Sequence, residues 1–241
     1  MSNNAQSEIL LQVNNLSVEF ITKSGLWGRN KPVLKAVDNV SFSIKKGQTV
    51  GLVGESGSGK TTAALAIARL IDANQGVVKM NSMDLLKIHG EELRQARTKL
   101  QFIFQDPYSS LNPRKRAEEI VREPLDSLTD FDLKTRNDVV KKLFHSVGLR
   151  EEQQKLFPHQ FSGGQRQRLG IARALATNPE LIICDEAVSA LDVAVQAQIL
   201  NLLKDLQRDH SLTYLFISHD LGVVTVSYTH LRAHETRGNL V

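Results

Sequence analysis

The run Val50-Gly51-Leu52-Val53 leads directly into Gly54-Glu55-Ser56-Gly57-Ser58-Gly59-Lys60-Thr61, and no other stretch constrains the fold as tightly. The apolar run reads as a buried strand, and Thr62-Ala63-Ala64-Leu65-Ala66-Ile67-Ala68 reads as a helix. Strand, glycine loop and helix in that order open a parallel α/β sheet. The loop fits Gly-x-x-x-x-Gly-Lys-Thr, whose glycines let backbone N–H groups turn inward as a nest for phosphate oxygens. Lys60 then reaches the β- and γ-phosphates as a point charge, and Thr61 offers its hydroxyl to Mg²⁺. The positive end of the following helix faces the phosphates. An ordinary Gly/Ser turn is the alternative, and it makes a coincidence of both flanks.

A phosphate-bound metal needs an acid on a neighbouring strand. Leu181-Ile182-Ile183-Cys184-Asp185-Glu186 supplies two, since four apolar residues read as a buried parallel strand that delivers its carboxylates where open α/β sheets bind ligands. Asp185 is expected to hold Mg²⁺ and Glu186 to act as general base on an attacking water. A second glycine motif, Phe161-Ser162-Gly163-Gly164-Gln165-Arg166-Gln167-Arg168, precedes a helix-prone stretch from Gln165 to Ala176. Ser162, Gly163 and Gly164 therefore fall at a helix N-terminus, where capping by Ser162 and anion binding draw on the same N–H groups.

Together these residues resemble the ATP-binding subunits of ABC transporters. Ser162-Gly163-Gly164-Gln165 is similar to their signature motif, Gln105 to their Q-loop glutamine, Ser189-Ala190-Leu191-Asp192 to their D-loop, and His219 to their switch histidine. The resemblance runs from about Leu11 to Val224, with the motifs in the family's order. It implies a P-loop NTPase of the RecA-like α/β class, with an N-terminal antiparallel β subdomain and an inserted α-helical subdomain. It also implies ATP and Mg²⁺ as the bound groups. The nucleotide contacts it implies are Gly54, Glu55, Ser56, Gly57, Ser58, Gly59, Lys60, Thr61 and Thr62 on one chain. Ser162, Gly163, Gly164, Gln165 and Asp192 complete the site of a second chain. Glu186, His219 and Gln105 are the implied catalytic set, and Thr61, Gln105 and Asp185 the metal set. Phe20, closing Leu16-Ser17-Val18-Glu19-Phe20, matches the position of an aromatic that stacks on adenine, with core packing as its rival.

The implied partners are a second ATPase subunit, identical or homologous, two membrane permeases and, through the complex, a solute-binding protein. Asp106-Pro107-Tyr108-Ser109-Ser110-Leu111-Asn112-Pro113-Arg114, Pro158-His159-Gln160-Phe161 and the insertion Gly25-Leu26-Trp27-Gly28-Arg29 are similar to the dipeptide and oligopeptide importers, with nickel and glutathione importers as near relatives. A non-transport ABC ATPase is the rival within the family. A P-loop kinase or GTPase leaves the signature unexplained.

Along the chain, residues 1–224 read as one ATPase domain. Residues 1–105 form the β subdomain and first part of the core, 106–160 the helical subdomain, and 161–224 the rest of the core. Turns are expected at Lys45-Lys46-Gly47-Gln48 and Asn74-Gln75-Gly76, and helices at Glu118–Glu123, Leu133–Val147 and Val193–Asp209. Ala187 stands where the family usually has proline, and Phe161 replaces the commoner leucine. From Thr225 to Val241 the likeness ends, and residues 225–241 read as a foreign-looking tail in which Thr225–Thr229 is strand-prone. With 41% hydrophobic residues spread without a membrane-length run, a polar start and a single Cys184, the chain is expected in the cytoplasm, and the resemblance implies the cytoplasmic face of the membrane. The net charge of +4 is mild, and Arg114-Lys115-Arg116 reads as a solvated face rather than a nucleic-acid patch, which would want a broader basic surface with aromatic partners.

Overall fold

Two strands show how the core is organised in this computed structural model, which describes residues 8–21, 33–219 and 233–235. In Leu181–Asp185 (here β7) and Thr213–Ser218 (β8) every residue is buried, as expected for parallel strands covered on both faces. Side chains alternate between the faces. Leu181, Ile183, Leu215 and Ile217 enter one hydrophobic cluster, while Ile182, Cys184, Tyr214 and Phe216 enter the other.

The remaining elements build those two layers. In chain order they are β1 (Ile9–Ile21), β2 (Val33–Lys45), β3 (Thr49–Val53), α1 (Lys60–Ile67), β4 (Gln75–Met80), β5 (Met83–Asp84), α2 (Gly90–Lys99) and β6 (Leu100–Ile103). Then come α3 (Pro107–Ser110), α4 (Ala117–Leu128), α5 (Leu133–Ser146), α6 (Gly163–Leu175), β7, α7 (Val193–His210), β8 and β9 (Ala233–Glu235). The strands β2-β1-β4-β5 form an antiparallel sheet, and β6-β7-β8-β3-β9 a parallel one. The first cluster joins the antiparallel sheet and α1 to the parallel sheet; the second packs α4, α5, α6 and α7 on its other face.

Several elements differ from the sequence reading. Asn74-Gln75-Gly76 is not a free turn: Gln75 starts β4, and Gly76 has φ 114° beside a bulge in β1. A Cβ there would stand 2.7 Å from Leu16 Cα, so the glycine answers a close backbone approach. Helix α2 was not expected, because it buries Ala96 alone and so lacks an apolar stripe. The helix expected at Glu118–Glu123 extends from Ala117 to Leu128. Arg114-Lys115-Arg116 is also less idle than a solvated face: Lys115 pairs with Glu123 at 3.0 Å, and Arg116 lies 5.2 Å from the Phe157 ring centre. Gly25–Arg29 and Thr225–Thr229 lie outside the described residues. Beyond them, Ala233–Glu235 of the tail pairs in parallel with Gly51–Val53.

Candidate nucleotide site

Strand register brings the site together. Val53 pairs with Ser218, and Asp185 with Ile217, so β3, β7 and β8 end at one edge of the parallel sheet. The loop after Val53, Glu186 after Asp185 and His219 after Ser218 therefore emerge side by side, outside the carboxyl ends of the strands.

The glycine loop is held by its own lysine. Lys60 is buried, and its Nζ donates to the carbonyls of Gly54 at 2.8 Å and Glu55 at 2.6 Å and to Ser58 Oγ at 3.3 Å. Gly57 and Gly59 both have φ 83°, a left-handed conformation that only glycine adopts without strain. Gly59 is also the N-cap residue of α1, so no side chain satisfies the first-turn N–H groups, and the first turn carries no acid. The end of α1 thus keeps both its donors and its positive dipole for an anion.

The two acids take different positions. Asp185 is buried, and its Oδ1 accepts a 3.0 Å hydrogen bond from Thr61 Oγ1. Burial pushes its carboxyl above the usual range and the charge of Glu186 adds to this, while the Thr61 hydroxyl and Lys60 oppose it. A nearby cation would favour the ionised form. Glu186 has φ 44°, an uncommon left-handed conformation for a residue with a side chain. Its N–H donates to Ile217 O, and its carbonyl accepts from Ser189 N and Oγ, all at 3.0 Å. On the side chain, Gln105 Nε2 donates to Oε2 at 2.7 Å, and His219 Nδ1 lies 3.3 Å from Oε1.

Several of these residues, though neither Asp185 nor His219, border a cleft of about 370 Å³, within the range typical of small-molecule sites. Its walls include Ser56, Gly57, Gly59, Lys60, Thr61, Thr62, Gln105, Glu186 and Phe20. Phe20 is 42% exposed, so it is a wall of the cleft and not a core residue. Leu34 pairs with it across β1 and β2 and lines the same wall, along with Lys35 and Ala36. The sequence reading missed these three because register between distant strands leaves no local signal.

The signature residues occupy another place. Among the described residues, Ser162, Gly163, Gly164, Gln165 and Asp192 do not line that cleft. Ser162 Oγ accepts from Gln165 N at 3.3 Å and Gln165 Oε1 from Ser162 N at 3.0 Å, a reciprocal capping box on α6. Asp192 caps α7 by accepting from Val195 N at 3.0 Å. A Cβ on Gly164 would stand 2.6 Å from Val195 Cγ1, so the first turns of α6 and α7 are in close contact.

The donor set fits a metal that arrives with its ligand. Thr61, Asp185 and Gln105 offer a hydroxyl, a carboxylate and an amide oxygen, and the described residues hold no cluster of three or more His, Cys, Asp or Glu. Mg²⁺ is commonly bound in this way, by one or two carboxylates together with substrate phosphates.

Comparison with known proteins agrees with this arrangement. Residues 37–189 match the ABC transporter family. The chain is 49% identical over 221 residues to the oligopeptide transport ATP-binding protein AppF of Bacillus subtilis, covering 91% of this chain and 67% of that protein. It is 48% identical to the glutathione import ATP-binding protein GsiA of Salmonella typhimurium, covering 91% of this chain but 35% of the relative. Among solved structures, the dimeric post-hydrolysis state of the ATP-binding cassette MJ0796 bound to ADP and Pi superposes with a TM-score of 0.77 at 31% identity, covering 89% of this chain and 90% of that one. A parallel sheet edge that gathers a phosphate loop, a buried acid and a strained glutamate, on a chain matching the family over most of its length, is therefore an ATP-binding and ATP-hydrolysing cassette: the protein belongs to the ABC transporter family.

Proposed function

We propose that the chain energises the import of dipeptides or oligopeptides, working as one of two cassettes on the cytoplasmic face of a membrane beneath a pair of permeases. The observation that carries the catalytic half is the convergence of Gln105 and His219 on the Glu186 carboxylate beside the phosphate loop. Glu186 takes the proton of the attacking water as general base. Gln105 orients that carboxylate through its amide N–H and would offer its amide oxygen to the metal, while His219 would hold the γ-phosphate. Lys60 and the N–H groups of the loop bind the phosphates, and Phe20 stacks on the base. Mg²⁺, held by Thr61 and Asp185, would neutralise the charge that develops on the transferred phosphoryl group. No helix among the described residues is long and apolar enough to cross a membrane, which accords with partners that supply the channel.

Because Ser162–Gln165 and Asp192 stand off the cleft, one chain carries half of each site. A second cassette, identical or homologous, completes it. The cargo class rests on the likeness to AppF, and the likeness to GsiA supports glutathione as a second reading. The test is to assemble the chain with the permeases and solute-binding protein encoded beside it, in proteoliposomes. Uptake of labelled oligopeptides driven by Mg-ATP supports the first reading. Uptake of glutathione alone replaces it, and co-purification with ribosomes or DNA in place of permeases removes transport altogether.

A further inference from the structure

The segment that carries Gln105 runs straight into α3, which has only four residues. So short a helix does not hold itself, since nucleation is unfavourable and few bonds follow it. Asp106 caps it, accepting from Tyr108 N at 2.7 Å. The stronger restraints come from α6. Arg166 and Arg173 are seven residues apart in sequence, close to two helical turns, and so lie on one side of α6. The Arg166 guanidinium sits 4.8 Å from the centre of the Tyr108 ring, within cation–π range. Arg173 Nη1 donates to Ser110 O at 2.6 Å. One arginine therefore holds the start of α3 and the other its end.

We propose that Arg166, acting with Arg173 through Tyr108 and Ser110, is a positioning residue that fixes α3 on the signature helix and so holds the Gln105 amide on Glu186. Gln105 directly precedes the α3 cap, so a shift of α3 moves the amide away from its 2.7 Å contact with Glu186. A guanidinium can lie flat on an aromatic ring, which a lysine ammonium cannot. Arg166 thereby joins the helix that meets a second chain's nucleotide to the glutamine beside this chain's base.

The kinetic arm of the test rests on the ATPase reading, and a spectroscopic arm does not. In the full chain, the side-chain amide resonance of Gln105 is assigned by its loss in Gln105→Ala. Arg166→Met is expected to move that resonance away from its hydrogen-bonded position, with Arg166→Lys close to Met and Tyr108→Phe unchanged. In steady-state hydrolysis, Arg166→Met should lower kcat about tenfold with KM nearly constant, inside the loss of about a hundredfold that an ångström of misplacement can cause. In a Gln105→Ala background the same substitution should cost nothing further. An unmoved amide signal in Arg166→Met overturns the proposal, as does an equal loss of kcat in both backgrounds. Should Arg166→Met fail to fold, Tyr108→Ala carries the same test. No turnover by the chain together with the cassette that completes its sites refutes the ATPase reading, while the amide signal still decides the clamp.

Discussion

Two helix N-termini in this protein present glycines and donors, yet they are prepared for their ligands in opposite ways. At α1, Gly59 brings no side chain, and Lys60 is drawn back onto the loop carbonyls. At α6, Ser162 and Gln165 satisfy each other, and Gly164 is pressed against Val195. The first terminus is ready for phosphate within a single chain. The second is partly capped by its own side chains and stands off the cleft, so its proposed use as a phosphate site calls for nucleotide brought by another chain. A glycine-rich helix start is thus ambiguous in isolation, and its capping state separates the two uses.

The largest expected effect falls on the α1 side. Glu186→Gln keeps the shape and the Gln105 contact region but removes the carboxylate proposed as the base, and phosphate release should slow by about 10²–10⁴-fold. ATP binding should persist, and the dimer should accumulate in its ATP-bound form in size-exclusion chromatography. Turnover near that of the parent chain would sink the assignment of the base. Next comes Lys60→Ala, which removes the charge aimed at the β- and γ-phosphates together with the ties to Gly54, Glu55 and Ser58. ATP affinity measured by calorimetry should fall at least tenfold, equivalent to about 1.4 kcal/mol. Equal affinity in the variant would break the claim that α1 is the phosphate terminus.

How much of this could be read from sequence depends on how local the chemistry is. The phosphate loop and the Asp185–Glu186 strand end were legible because backbone turn, helix start and strand end lie within a few residues of one another. The Ser162 cap of α6 was legible for the same reason, while the reciprocal bond to the Gln165 side chain was not read. Phe20 was visible but Leu34 was not, since their pairing depends on register between strands joined through a segment with no signal of its own. The left-handed backbone at Glu186 also left no mark, because nothing in a glutamate announces φ 44°. Helix α2 escaped because a helix that buries a single alanine has no periodicity to read.

Gly164→Ala sharpens the comparison from the α6 side. The new methyl meets Val195 Cγ1 at 2.6 Å, so the valine must leave its rotamer or the start of α7, where Asp192 is the cap, must move. Overpacking of this kind costs about 1–3 kcal/mol, readable as a lower urea midpoint. ATP affinity of the isolated monomer should be unchanged, because Gly164 stands off the cleft. A fall in monomer affinity would show the two termini to be coupled within one chain.

The smallest effect is the most discriminating. Ser162→Ala removes the oxygen that accepts from Gln165 N, and loss of such a cap costs about 1 kcal/mol of stability. Asp is as good a cap as Ser, so Ser162→Asp should restore the urea midpoint. Its carboxylate, however, would face the γ-phosphate brought by a second chain, where like charges repel. If capping is the whole role of Ser162, hydrolysis recovers with stability in the Asp variant. If the α6 terminus also receives a neighbour's nucleotide, stability returns while cooperative hydrolysis and ATP-driven dimerisation stay lost. The second pattern is the expected one, because the capping box uses only the N–H groups of Ser162 and Gln165, so those of Gly163 and Gly164 stay available to an incoming anion whose place the Asp carboxylate would occupy permanently.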